Sequence, residues 1–162
     1  MKALTISQPY ASLIADGEKF VENRKWEVVY RGPLAIHAGK GTQYLDAEQL
    51  RDYPTGCIIA IARLVACPHL SRIQEYGVDP ERRKRLIALG STKNWSELYR
   101  HEHTEGPFCW VLEDVKKLES PIPARGAQGL WDWRNGWRSN SGRRPSPLPI
   151  AEKTWDADPI PG

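Results

Sequence analysis

No run of 18 apolar residues occurs in this 162-residue sequence, so a membrane-spanning helix is not expected. The start of the chain turns polar at Ser7-Gln8-Pro9 before an apolar signal region can form, which predicts a soluble, cytoplasmic protein with no membrane role. Cysteine is scarce. Cys57, Cys67 and Cys109 stand far apart without a C-x-x-C spacing, and each lies in or beside an apolar run, as small core residues do in a reducing compartment. The phosphate-loop spacing G-x-x-x-x-G-K-S/T is missing, and no serine sits in a G-x-S-x-G context. His101 and His103 flank Glu102 at a spacing that fits neither a zinc helix nor a catalytic pair, and they read as part of a solvated loop. No metal or cofactor is therefore expected, and no internal repeat is visible.

What remains is enough for one domain with a real core: 40% of residues are hydrophobic, and the formal charge of +3 is too mild to argue for nucleic acid by itself. Ala3-Leu4-Thr5-Ile6 reads as a strand, Gln8-Pro9 opens a helix, and Gly17 stops it. Lys19 to Val29 has no helical period and reads as extended chain. Leu34 to Ala38 is a short strand ending at Gly39-Lys40-Gly41, and Asp46 to Tyr53 has the composition of a surface helix. The nearly continuous apolar run Cys57 to Cys67 predicts a strand buried on both faces.

From about residue 68 to 106 the sequence is polar and helical in character, with Asp79-Pro80 as a helix start, Arg82 to Arg85 along it and Gly90 as its end. This reads as an insertion docked by Trp95, Leu98 and Tyr99. Phe108 to Leu112 is a buried strand and Asp114 to Leu118 its solvated continuation, with Pro121-Ile122-Pro123 expected to break regular structure. After Trp133 the chain gathers Arg134, Arg138, Arg143 and Arg144 around Trp137, with no acidic residue among them, and then becomes proline-rich. The boundaries are therefore a domain over 1–133 and a basic, then proline-rich, extended or disordered tail over 134–162.

The stretch Gly17 to Trp26 concentrates opposite charges and an aromatic. In a regular strand Glu22 and Arg24 share one face and Lys19 points to the other, so Lys19 reaches Glu22 only if the chain is irregular just after Gly17. Convergence would leave Arg24 and Glu22 holding each other while Lys19 faces a phosphate or a base edge. The competing reading is a surface ion pair worth under ~1 kcal/mol. His37, followed by Gly39-Lys40-Gly41, suits either a close backbone approach to an anion or a packed strand-end histidine.

Taken together these segments resemble the ASCH (activating signal cointegrator homology) family of the PUA-like superfamily. The resemblance rests on Leu4 to Ile14, on G-x-K-x-x-E-x-R as Gly17, Lys19, Glu22 and Arg24 followed by Trp26, and on Arg31 to Lys40. Asp52 to Cys57, Phe108 to Leu112 and Pro123 to Trp131 extend it, so that it covers about residues 3–133. Tyr10 stands where many relatives have tryptophan, and the tail after Trp133 has no counterpart.

The resemblance implies an α+β fold: a PUA-like pseudo-barrel of five to six mostly antiparallel strands, with flanking and inserted helices and a cleft beside the first helix. It also implies RNA-binding or coactivator-linked roles, with duplex DNA binding, ribonuclease activity and 4-acetylcytidine hydrolysis among relatives. The leading expectation is a nucleic-acid-binding module, RNA favoured and DNA open, with a modified nucleoside or a partner protein as other ligands. Lys19, Arg24, Lys40 and Arg125 would contact phosphates, Tyr10 or Trp26 would offer a stacking face, and Glu22 would orient Arg24 or accept a base amino group. The arginine arm would add affinity without sequence preference. The alternatives are an amidohydrolase acting on an acylated nucleoside through Lys19, and a metal-independent ribonuclease using His37 with Lys19 or Lys40. In the resembling hydrolases a threonine stands where this chain has Glu22, and a carboxylate there favours a charged lysine over a catalytic amine.

Overall fold

The computed structural model describes residues 1–78 and 91–134. Asp79-Pro80, the arginine run at 82–85, Gly90, and Arg138, Arg143 and Arg144 of the basic arm with the proline-rich segment lie outside the described residues.

The apolar run centred on Ile58 and Leu64 forms β4 (Cys57–Ala66), which sits inside a six-stranded sheet among the described residues. Its partners are β3 (Gly32–Ala38) and β5 (Phe108–Pro123), both antiparallel. β1 (Lys2–Ile6) lies parallel to β3, β6 (Leu130–Asp132) closes against β1, and β2 (Val21–Arg24) pairs with the first residues of β5. The order is β2-β5-β4-β3-β1-β6. Three register shifts between β4 and β5 and one between β3 and β4 bend the strands, since each extra residue increases local twist. The sheet curls into a half-barrel, and with its helices this is the α+β architecture of six mostly antiparallel strands expected from the sequence.

Burial on both faces explains why β4 lacks alternation. Leu64 packs with Leu4, Ile14, Leu34, Ile36, Trp110 and Leu112 under α1 (Tyr10–Ala15). Its neighbour Val65 packs the other way, with Val21, Val111, Ile73, Trp95 and Leu98. Ile73 belongs to α3 (Leu70–Val78), whereas Trp95 and Leu98 belong to α4 (Trp95–Arg100). These two helices are the ones among the described residues of the inserted region, and α3 begins well before the helix start read at Asp79. Tyr99 docks α4 on α3 at Gly77, where even a methyl group would collide with its Cβ. Buried Glu113 fixes the entry to α4, accepting from Ser91 Oγ at 2.5 Å and from the Thr92 backbone N–H at 2.9 Å.

Local chemistry moves several boundaries. Pro9 precedes α1 rather than joining it, and Gln8 supplies the cap that proline lacks: its Oε1 accepts from the Ser12 N–H at 3.0 Å. Gly17, at φ +81°, turns the chain out of the helix, as expected. Of the extended segment read from Lys19 to Val29 only Val21–Arg24 pairs, and the helix read over 46–53 is the single turn α2 (Gln49–Asp52). Pro121-Ile122-Pro123 does not break the structure. Ile122 and Pro123 pair with Ile58 and Cys57, and β2 covers only the first residues of β5, so the prolines sit where the outer edge needs no N–H. The three cysteines are free and buried, and burial pushes the Cys109 thiol up to about 11. Among the described residues no helix is long and apolar enough to cross a membrane.

Candidate nucleic-acid interface

The site lies at the end of the parallel pair β1 and β3 that is marked by Thr5 and Ala38. Lys19 leaves the Gly17 turn before β2 begins, and this irregularity lets it reach Glu22: Nζ lies 2.6 Å from Oε2. The same ammonium donates to the Val21 carbonyl, and the side chain is only 3% exposed. Glu22 Oε1 lies 3.2 Å from Arg24, whose guanidinium also donates to the Thr5 carbonyl at 2.8 Å. One carboxylate therefore holds two cations, and through Arg24 the network ties β2 to the end of β1. The Lys19 ammonium is turned inward, toward Val21 and Glu22. Arg24 is likewise bonded to Glu22 and Thr5, and its Nε is buried without a partner among the described residues.

Beyond Thr5 opens a cleft of about 800 Å³, bounded by the ends of β1, β3 and β5 and the loop after β5. Lys40 and Arg125 line it, both exposed, and Gly39, Gly56 and Gly126 lower its walls. Lys40 runs its stem over Gly56. No acidic residue pairs with either cation among the described residues, so both heads are available to an anion.

His37 is 2% exposed at the cleft wall. Its Nε2 lies 3.0 Å from the Ala124 carbonyl, which can only accept, so the proton sits on Nε2 and Nδ1 is a bare acceptor without a partner among the described residues. Burial lowers its pKa, the Ala124 bond opposing this. Gly126 packs directly on the ring: a Cβ there would stand 2.4 Å from Cε1 and 2.7 Å from Nδ1. His37 thus fastens the loop that walls the cleft.

Tyr10 opens α1 beside Lys19, whose Nζ is 5.8 Å from the ring centroid. Tyr44 and His103 meet the same ring edge-on, at centroid distances of 5.6 and 6.1 Å. Trp26, expected as a stacking face, instead stands edge-on to buried Trp110 at 4.7 Å. It is still 38% exposed.

Two residues set aside by the sequence reading, His101 and His103, stand beside Lys19 and Tyr10. His101 stacks on Phe20 at 4.0 Å and takes the Phe20 N–H on Nε2, and burial, reinforced by His103 and Lys19, lowers its pKa. His103 is held by Asn23, whose Nδ2 donates to its carbonyl at 2.7 Å while Oδ1 accepts from Glu105 and Gly106. The only hint in the sequence is the position of Asn23 inside the charged motif. Arg134, the described member of the basic arm, follows β6 at the far end of β1 from Thr5 and stands away from the cleft.

Comparison with known proteins places this geometry in a family. The chain is 24% identical over 144 residues to "Activating signal cointegrator 1" of Homo sapiens, covering 79% of this chain and 21% of that protein. With the Mus musculus protein of the same name it shares 29% over 144 residues, covering 78% and 24%. The chain thus spans under a quarter of the length of these relatives. Among solved structures it is similar to "Crystal structure of ASCH from Zymomonas mobilis", with 16% identity, a TM-score of 0.48, and coverage of 82% of this chain and 87% of that one. The ASCH domain model matches residues 4–122, most of the described fold, and the chain belongs to the ASCH domain family.

Proposed function

We propose that this chain is an RNA-binding module that seats the sugar-phosphate backbone in the cleft beyond Thr5. The observation that carries this reading is the convergence of two exposed cations without acidic partners, Lys40 and Arg125, on an open, glycine-lowered groove of about 800 Å³. Cations free of internal partners displace counterions from a polyanion, whereas Lys19 and Arg24 act from within by fixing the shape of the rim. The general association of ASCH domains with RNA supports RNA as the first ligand to test.

Hydrolysis centred on Lys19 receives no such support, since that ammonium already donates to Glu22 and Val21. Ribonuclease chemistry at His37 receives none either, because Nε2 is bonded to Ala124 and Nδ1 is covered by Gly126. Charge reversal in Lys40→Glu/Arg125→Glu should sharply weaken binding of a labelled RNA oligonucleotide, to a similar degree across sequences. Unchanged affinity in the double variant would reject this placement of the backbone.

A further inference from the structure

Next to the cleft runs a row of rings drawn from four separate segments. Tyr44 comes from the loop after β3, Tyr10 from the first residue of α1, His103 and His101 from the segment after α4, and Phe20 from the approach to β2. Successive centroids are 5.6, 6.1, 5.5 and 4.0 Å apart, so the row is continuous from the Lys40 loop to the far side of Lys19. Tyr44 is 56% exposed and meets Tyr10 in a T-shaped contact rather than a stack. The row is built rather than incidental. Asn23 pins the His103 carbonyl to β2, and Thr104 Oγ1 ties the same segment to the Leu98 carbonyl at 2.7 Å.

From these observations we infer that the protein takes single-stranded RNA, with unpaired bases stacking along the Tyr44–Tyr10–His103 row while Lys40 and Arg125 hold the adjoining phosphates. The inference rests on the RNA-binding reading and narrows its substrate class. Bases inside a duplex are already stacked and present only their edges, whereas an unpaired base offers a face to an aromatic ring whatever its sequence. Lys40 and Tyr44 are four residues apart in one loop, at most about 14 Å of chain, so a phosphate at Lys40 leaves neighbouring bases within reach of Tyr44. Glu22 is matched by Lys19 and Arg24, and the carboxylate on the row itself is exposed Glu102, 3.9 Å from His103 Nε2.

Fluorescence anisotropy with a labelled 12-nucleotide RNA, free and annealed to its complement, tests this on the full chain. The single strand should bind more tightly than the duplex. Tyr44→Ala should weaken single-strand binding roughly five- to 150-fold, the range for removing one base-stacking ring, and Tyr44→Phe should restore most of it. Tyr44 is exposed, so its loss leaves the core intact; thermal melting of each variant confirms that. A duplex bound at least as tightly as the single strand, or single-strand binding indifferent to Tyr44→Ala in a folded variant, overturns this inference while leaving the RNA-binding reading standing. Binding of neither RNA overturns both.

Discussion

Glu22 shows how one carboxylate organises two cations in the same place. Its two oxygens hold Lys19 at 2.6 Å and Arg24 at 3.2 Å, and Lys19 is almost fully buried. Removing one member of such a buried cluster leaves a charge without a partner, a cost of about 3–5 kcal/mol. Glu22→Gln should therefore lower stability by that order in chemical denaturation, whereas Glu18→Gln, in the exposed turn, should change it by under ~0.5 kcal/mol. Equal, small effects at both positions would show that the network is ornamental. The motif spacing was legible in the sequence, but the inward aim of Lys19 was not. That direction depends on the Val21 carbonyl and on Tyr10, contacts that arise only once the chain has turned at Gly17.

At the scale of elements, short patterns were readable and long-range partners were not. The β4 run announced itself because both of its faces are covered, by α1 on one side and by α3 and α4 on the other. The prolines ending β5 misled because a proline in a strand is disruptive only where its missing N–H would have been bonded. The segment after α4 read as solvated, since its partners Asn23 and Phe20 lie some 80 residues earlier in the chain. Asn23 fastens that segment through three hydrogen bonds from one side chain. Asn23→Ala should release it, costing about 1–3 kcal/mol and increasing amide hydrogen exchange over 101–106 while β4 stays protected. Unaltered exchange at 101–106 would mean that α4 alone holds the segment.

Across the whole molecule, buried His37 and partly buried His101 link stability to pH. His37 and His101 both have pKa values lowered from the usual 6.5, chiefly by burial. The folded protein favours their neutral forms, so the unfolded chain takes up protons first as pH falls. Their contribution is fully present above 6.5, is lost progressively below it, and levels off under the folded values. The denaturation midpoint should accordingly drop between pH 7.5 and 5.5, and His101→Phe, which keeps the stack on Phe20, should show a smaller drop. An identical drop in that variant would remove His101 from the explanation. The larger claim is that an inward-facing ion network shapes a rim from which Lys40 and Arg125 reach out to the RNA backbone. The salt dependence of single-stranded RNA affinity tests it most directly, because each lost phosphate contact flattens the slope of log affinity against log salt by about 0.7. The account predicts a slope shallower by roughly 1.4 in Lys40→Ala/Arg125→Ala than in the unaltered protein. Parallel slopes would contradict it.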